Sequence, residues 1–208
     1  MFHELIPREF PQVEPAEIER RLNQYLECEA LLKQFFRQVD YCRPNCITQS
    51  ISRYSKKDEI PGIVGCCSDD AYMEKHNPSV DFAPLEQRRR LKYGLPENQE
   101  SEIQGIGRKP CRYHTIEGCV LEDYKPPICV SYVCGDFVVY LANTFGIVYD
   151  WKNVCETMAN ILDGQICGAE LEKFKQQLNI FVEQTKTRKE QQHQDDTTHI
   201  SEHLLALV

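Results

Sequence analysis

The sequence predicts a mainly α-helical protein, a helical body around a loop-rich central cysteine site with at most a few short strands. Three observations carry that expectation. Apolar residues recur at helical spacing towards both ends of the chain, from Ile18 to Val39 and again from Val154 to Val182. Strand-like pattern is thin, with short pairs only around Val130 to Val133. Between the helical regions lies Lys109 to Cys134, KPCRYHTIEGCVLEDYKPPICVSYVC. There Gly118, Pro126 and Pro127 interrupt any continuous helix and leave Cys111, Cys119, Cys129 and Cys134 on turns.

Pro7 and Pro11 make residues 1 to 13 an extended lead-in. A helix begins at Glu14-Pro15, with proline at the first helical position and Glu17 and Glu19 complementing its dipole. Ile18, Leu22, Tyr25, Leu26, Leu32, Phe35, Phe36 and Val39 carry it to about residue 40. Cys28, between Glu27 and Glu29, reads as a half-buried or exposed thiol. Cys42 and Cys46 follow, separated by the turn Arg43-Pro44-Asn45. Residues 47 to 64 are polar and irregular, and Gly65-Cys66-Cys67 closes them. Asp69, Asp70 and His76 read as solvated turn residues of a polar connection. A second helix runs from about Ala83 to Tyr93, with Pro84 near its start and Gly94 and Pro96 as stop signals. Its Arg88, Arg89, Arg90 and Lys92 form a solvated face. Gly105 and Gly107 lack the third glycine of a nucleotide-binding turn.

Beyond Cys134 the pattern is helical again. Asp136 caps a helix through Phe137, Val138, Tyr140, Leu141 and Phe145 that stops at Gly146. Asp150 caps the next, whose stripe Val154, Met158, Ile161 and Leu162 ends at Asp163-Gly164. Cys155 beside that stripe reads as a small core hydrophobe, and Cys167 lies on the following turn. Leu171, Phe174, Leu178, Phe181 and Val182 mark a last amphipathic helix. From Lys186 to His199 no apolar period remains, which predicts a frayed helix end or disordered linker, and Ser201 to Val208 forms an apolar turn or two. The domain expectation is one unit over 1–185: an N-terminal helix (1–41), a cysteine-cluster region (42–134) and C-terminal helices (135–185). A mobile polar tail (186–208) follows.

At 208 residues the chain buries a core without covalent staples. A net charge of −8 disfavours nucleic-acid binding and suits a basic protein partner. No apolar run spans a bilayer, so no membrane partner is expected. Met1 leads the sequence and no basic segment precedes an apolar one, so the expectation is a cytoplasmic protein without a secretory signal. In that compartment the eleven cysteines, an odd number, read as thiols or metal ligands rather than disulfides.

Apolar residues flank the central sulfurs: Val120 and Leu121 after Cys119, Ile128 before Cys129, Tyr132 and Val133 before Cys134. Thiols on loops with an apolar collar suit a soft metal or an iron–sulfur cluster. The run Cys111, Gly118-Cys119 and Leu121-Glu122-Asp123-Tyr124-Lys125-Pro126-Pro127-Ile128-Cys129 resembles the downstream half of the YkgJ family of cysteine-cluster proteins, zinc- or iron-chelating domains. Cys42, Cys46 and the pair Cys66-Cys67 correspond to its upstream half, opened here by nineteen residues between Cys46 and Cys66. The family's arginine before the motif's proline is Lys125 here, and its basic residue after the cysteine is Val130. A planar fork is thus replaced by a point charge and one donor is lost.

The resemblance spans residues 42 to 134 and implies metal ligands among Cys42, Cys46, Cys66, Cys67, Cys111, Cys119, Cys129 and Cys134. It favours a [4Fe–4S] cluster serving electron transfer or an accessory redox role with a protein partner. The alternative is a structural zinc module that binds partners through its helices, although the CxxC knuckles of zinc ribbons are absent. His114 is a ligand candidate or, with Cys111, a nucleophilic dyad, but HExxH, GxSxG and CxxC are all missing and no enzyme activity is implied.

Overall fold

The computed structural model describes residues 12–42, 44–45, 80–94, 113–115 and 118–205. Its elements, in chain order, are α1 (Pro15–Val39), α2 (Ala83–Tyr93), β1 (His114–Thr115), β2 (Gly118–Cys119), α3 (Pro127–Ser131) and α4 (Gly135–Tyr140). A π-helical turn (Leu141–Phe145), α5 (Trp151–Asp163) and α6 (Gly168–Leu205) complete them. The protein is mainly helical, as its periodicity predicts. No described helix is long and apolar enough to cross a membrane.

Helix α1 is the hub. Pro15 opens it without wasting a donor, and Asp40 closes it in the left-handed conformation (φ 46°). Leu22, Tyr25, Leu32, Phe35 and Val39 form its buried stripe, which lies along α5 and α6 and reaches α2 and α3. At the middle of the core Phe35 packs within 5.6 Å of the Phe181 ring and 5.8 Å of Tyr149, centroid to centroid. The Tyr149 hydroxyl donates to the Ser131 carbonyl at 3.0 Å, so a polar group deep in the core keeps a partner. Past the C-terminus of α1, Tyr41 stacks on Phe137 of α4 at 4.7 Å and 14°.

The caps are where local sequence sets the boundaries. Asp150 accepts the backbone N–H groups of Lys152 at 3.1 Å and Asn153 at 3.2 Å, which starts α5. Gly164 ends that helix at φ 81°, and the Arg21 guanidinium lies so close that a Cβ would sit 2.4 Å from its Cζ. From there Arg21 donates to the last carbonyl of α5, Asp163, at 2.7 Å.

Four expectations about the elements change. Asp136 does not cap α4: Cys134 holds the N-cap position and Asp136 lies inside the first turn. Val130 lies in α3 rather than a strand, because Pro127 at the first helical position starts a turn that buries Val130 and Ser131. Among the described residues the strands are β1 and β2, an antiparallel pair in register His114–Cys119 and Thr115–Gly118. Helix α6 does not end near Lys186 but continues to Leu205.

Substitution at the core should separate cleanly from substitution at a cap. Phe35→Ala should cost about 3–5 kcal/mol and Asp150→Ala about 1 kcal/mol, read as urea midpoints at constant m. Equal losses would contradict the placement of Phe35 at the centre of the core.

Candidate metal centre

The thiol-bearing segment enters through the β1–β2 ribbon. Val120 N–H donates to the Tyr113 carbonyl at 2.9 Å, closing the ribbon and leaving Cys119 exposed. Tyr113 and Leu121 are buried together against Tyr93 of α2, and the Tyr113 hydroxyl reaches the Gly94 carbonyl at 3.2 Å.

Residues 121–126 then form a strap fastened to α1 and α2. Glu122 and Asp123 direct their N–H groups at the Tyr93 hydroxyl oxygen, 3.0 and 3.1 Å away. That hydroxyl donates to one oxygen of Asp123 at 2.7 Å, and Lys92 binds the other at 2.6 Å. Tyr124 turns the chain at φ 57°, a conformation that costs a residue with a Cβ and must be held by its surroundings. Its N–H donates to Glu29 Oε2 at 2.9 Å, and its carbonyl accepts from Arg89 Nε at 2.6 Å. The next N–H, of Lys125, donates to Glu29 Oε1 at 3.2 Å, and the Lys125 carbonyl accepts the Tyr25 hydroxyl. Tyr25, Glu29 and Arg89 are 0%, 1% and 3% exposed, so all the main-chain polar groups of Tyr124 and Lys125 are met from inside the protein.

Burial sets the electrostatics of the anchor. Desolvation pushes the Glu29 carboxyl up to about 7, against the pull of the Lys125 N–H and the Lys125 and Lys33 charges. The Tyr25 phenol is driven well above its ordinary range by burial, with the Glu29 charge adding to the rise.

The candidate ligands stand as follows. Cys42 is exposed just past α1, Cys119 is exposed on β2, Cys129 is exposed on α3, and Cys134 is half-buried at the N-cap of α4. Tyr41, which precedes Cys42, stacks on Phe137 three residues beyond Cys134. Among the described residues no three His, Cys, Asp or Glu side chains converge as a metal site. Cys46, Cys66, Cys67 and Cys111 lie outside the described residues, as do Asp69, Asp70, His76, Gly105 and Gly107.

The cysteines outside the motif divide. Cys155 is buried as expected and Cys167 is exposed. Cys28 is not half-buried or exposed but fully enclosed, and burial raises its thiol to about 12.

Sequence reasoning missed the anchor. Arg88 pairs with Glu19 and Arg90 with Glu86 at the surface, as a solvated face should, whereas Arg89 turns inward to Tyr124. Glu29 carried a signal: it stands four residues past Tyr25 and three before Leu32, on the apolar stripe where an unpartnered carboxylate does not belong.

Glu29 gives a signed pH prediction. Its folded pKa is raised from 4.5 to about 7, so the folded state holds the proton more tightly than the unfolded chain. The associated stability is complete below pH 4.5 and is lost as pH rises through 7, by about 3 kcal/mol. Urea midpoints should fall between pH 5 and pH 8, and Glu29→Gln should flatten that decline. An equally steep decline in the variant would assign it to other groups.

No family model, curated protein or solved structure matches this chain.

Proposed function

We propose that this chain is a cysteine-cluster metalloprotein that binds a [4Fe–4S] cluster and serves electron transfer or an accessory redox role. The observation that supports this reading is the buried polar anchor on the strap between Cys119 and Cys129. Desolvating a carboxylate and a guanidinium costs free energy that an apolar contact does not, so such groups add little net stability. What they add is position. Tyr25, Glu29 and Arg89 fix the main chain on which the motif's thiols hang, as a metal-binding loop requires before it meets its metal.

The chemistry of the donors fits the group. Cys119 and Cys129 face solvent while Cys28 and Cys155 are packed into the core, so these two thiols of the motif are accessible and the two outside it are inert. Four thiolates drawn from Cys42, Cys46, Cys66, Cys67, Cys111, Cys119, Cys129 and Cys134 would hold the cluster, which supplies one-electron chemistry when bound. The chain's own part is to hold Cys119 and Cys129 on either side of the anchored strap. A net charge of −8 favours encounter with a basic redox partner.

The visible spectrum of anaerobically purified protein, with iron, zinc and acid-labile sulfide assayed on the same sample, tests the proposal. Brown protein with matched iron and sulfide, bleached by dithionite, is the expected result. Colourless protein with stoichiometric zinc would replace the cluster with a structural zinc module.

A variant pair sharpens the assignment. Cys129→Ser should remove most of the bound iron, while Cys28→Ala should retain it and lose only stability. Iron retained by Cys129→Ser at the wild-type level would exclude that thiol as a ligand.

A further inference from the structure

The starts of α1 and α2 and the end of α5 meet around a cleft of about 510 Å³. Ile18 and Leu22 of α1, Leu85 of α2 and Leu162 of α5 give it an apolar floor. Leu22, Leu85 and Leu162 belong to the core, so that floor is held in place by close packing. The volume falls in the range of small-molecule sites, which pair an apolar lining with a few placed polar groups. No described cysteine lines the cleft, and the metal chemistry makes no use of it.

The charged groups of the lining are one guanidinium and two half-buried carboxylates: Arg21, Asp81 and Asp163. Arg21 is already committed. Its Nε donates to Glu17 Oε1 and its Nη1 to the Asp163 carbonyl, both at 2.7 Å, and the group packs on Gly164. The carboxylates are not matched in this way. Asp81 accepts the Ala83 N–H at 3.0 Å, and Asp163 accepts the Gln165 side-chain amide at 2.5 Å. Both donors are neutral, and among the described residues neither carboxylate forms an ion pair.

We propose that the cleft binds a small amphipathic cation, an alkylamine whose chain lies on the Leu22, Leu85 and Leu162 floor and whose ammonium sits at Asp81 and Asp163. The apolar and charged halves each select. An ammonium gains charge-assisted hydrogen bonds from carboxylates that have no cation of their own. A carboxylate ligand meets two like charges and a guanidinium already bonded to Glu17. A neutral alcohol buries the same chain but leaves both carboxylates unused. One lysine side chain fills only part of such a volume, so the occupant is a free amine rather than a residue of a protein partner.

Isothermal titration of the full chain with hexylamine at neutral pH, beside 1-hexanol and hexanoate as controls of equal length, tests the site. The expected result is saturable binding of hexylamine, roughly tenfold or more tighter than either control and weaker as salt rises. Asp81→Asn and Asp163→Asn keep a side-chain oxygen to accept from Ala83 and Gln165, so the local fold is spared. Each should weaken hexylamine about tenfold, and thermal unfolding checks that the body is intact. No saturable binding of hexylamine, equally tight binding of hexanol, or a preference for hexanoate overturns the proposal. Wild-type affinity for hexylamine in either variant overturns the site as assigned. None of these outcomes depends on a bound metal.

Discussion

A single buried carboxylate governs how the helical body and the cysteine segment are joined. Glu29 sits on the face of α1 that otherwise makes core, and its two oxygens accept consecutive main-chain N–H groups from Tyr124 and Lys125. Taken alone, that arrangement is unfavourable, since burial drives the carboxyl towards its neutral form. It persists because the strap has no other way to satisfy its backbone while turning through a left-handed tyrosine. Tyr25 and Arg89 complete the same exchange by donating to the two carbonyls. Remove the carboxylate and the N–H groups become the buried orphans; remove the strap and the carboxylate does.

That mutual dependence explains why the rest of the helical body is built conventionally. The aromatic cluster of Phe35, Tyr149 and Phe181 and the aliphatic stripes of α5 and α6 supply the hydrophobic free energy that the polar anchor does not. The core tolerates polar groups only where they are met, as Tyr149 is by Ser131 and Thr185 by the Phe181 and Val182 carbonyls.

Much of this architecture was legible because helix boundaries are local. Pro15, Gly94, Asp150 and Gly164 act within a turn of themselves: α1 begins, α2 ends and α5 both begins and ends where those residues say. Val130 to Val133 misled because β-branched residues signal strands on average, while a proline at the first helical position and a core beneath it decide the matter here. Past Lys186 the composition shows no apolar period, yet the helix runs on, so hydrophobic patterning marked the end of the packed face rather than of the element. The anchor was least legible. Glu29 and its partners are separated by 95 and 96 residues and Arg89 and its partner by 35, and no periodicity encodes a hydrogen bond between a helix and a distant loop. The grouping of the eight candidate thiols belongs to the same class, since spacing nominates sulfurs without saying which of them meet.

Those sequence separations have a consequence for how the chain is made. Helix α1 is made well before its partners: Tyr25 waits for Lys125, Arg21 for Asp163, and Gln38 for Thr185. Until Lys125 has been made, the carboxylate of Glu29 lacks its main-chain partners, and until α5 and α6 follow, the apolar stripe of α1 lacks most of its packing. Folding therefore cannot proceed from the N-terminus outwards as synthesis advances. It must wait for α5 and α6 and then close the longest loops in one late step, a slow order of events for a helical protein. During that interval the nascent chain carries an unpaired apolar helix face, the kind of surface a holding chaperone covers.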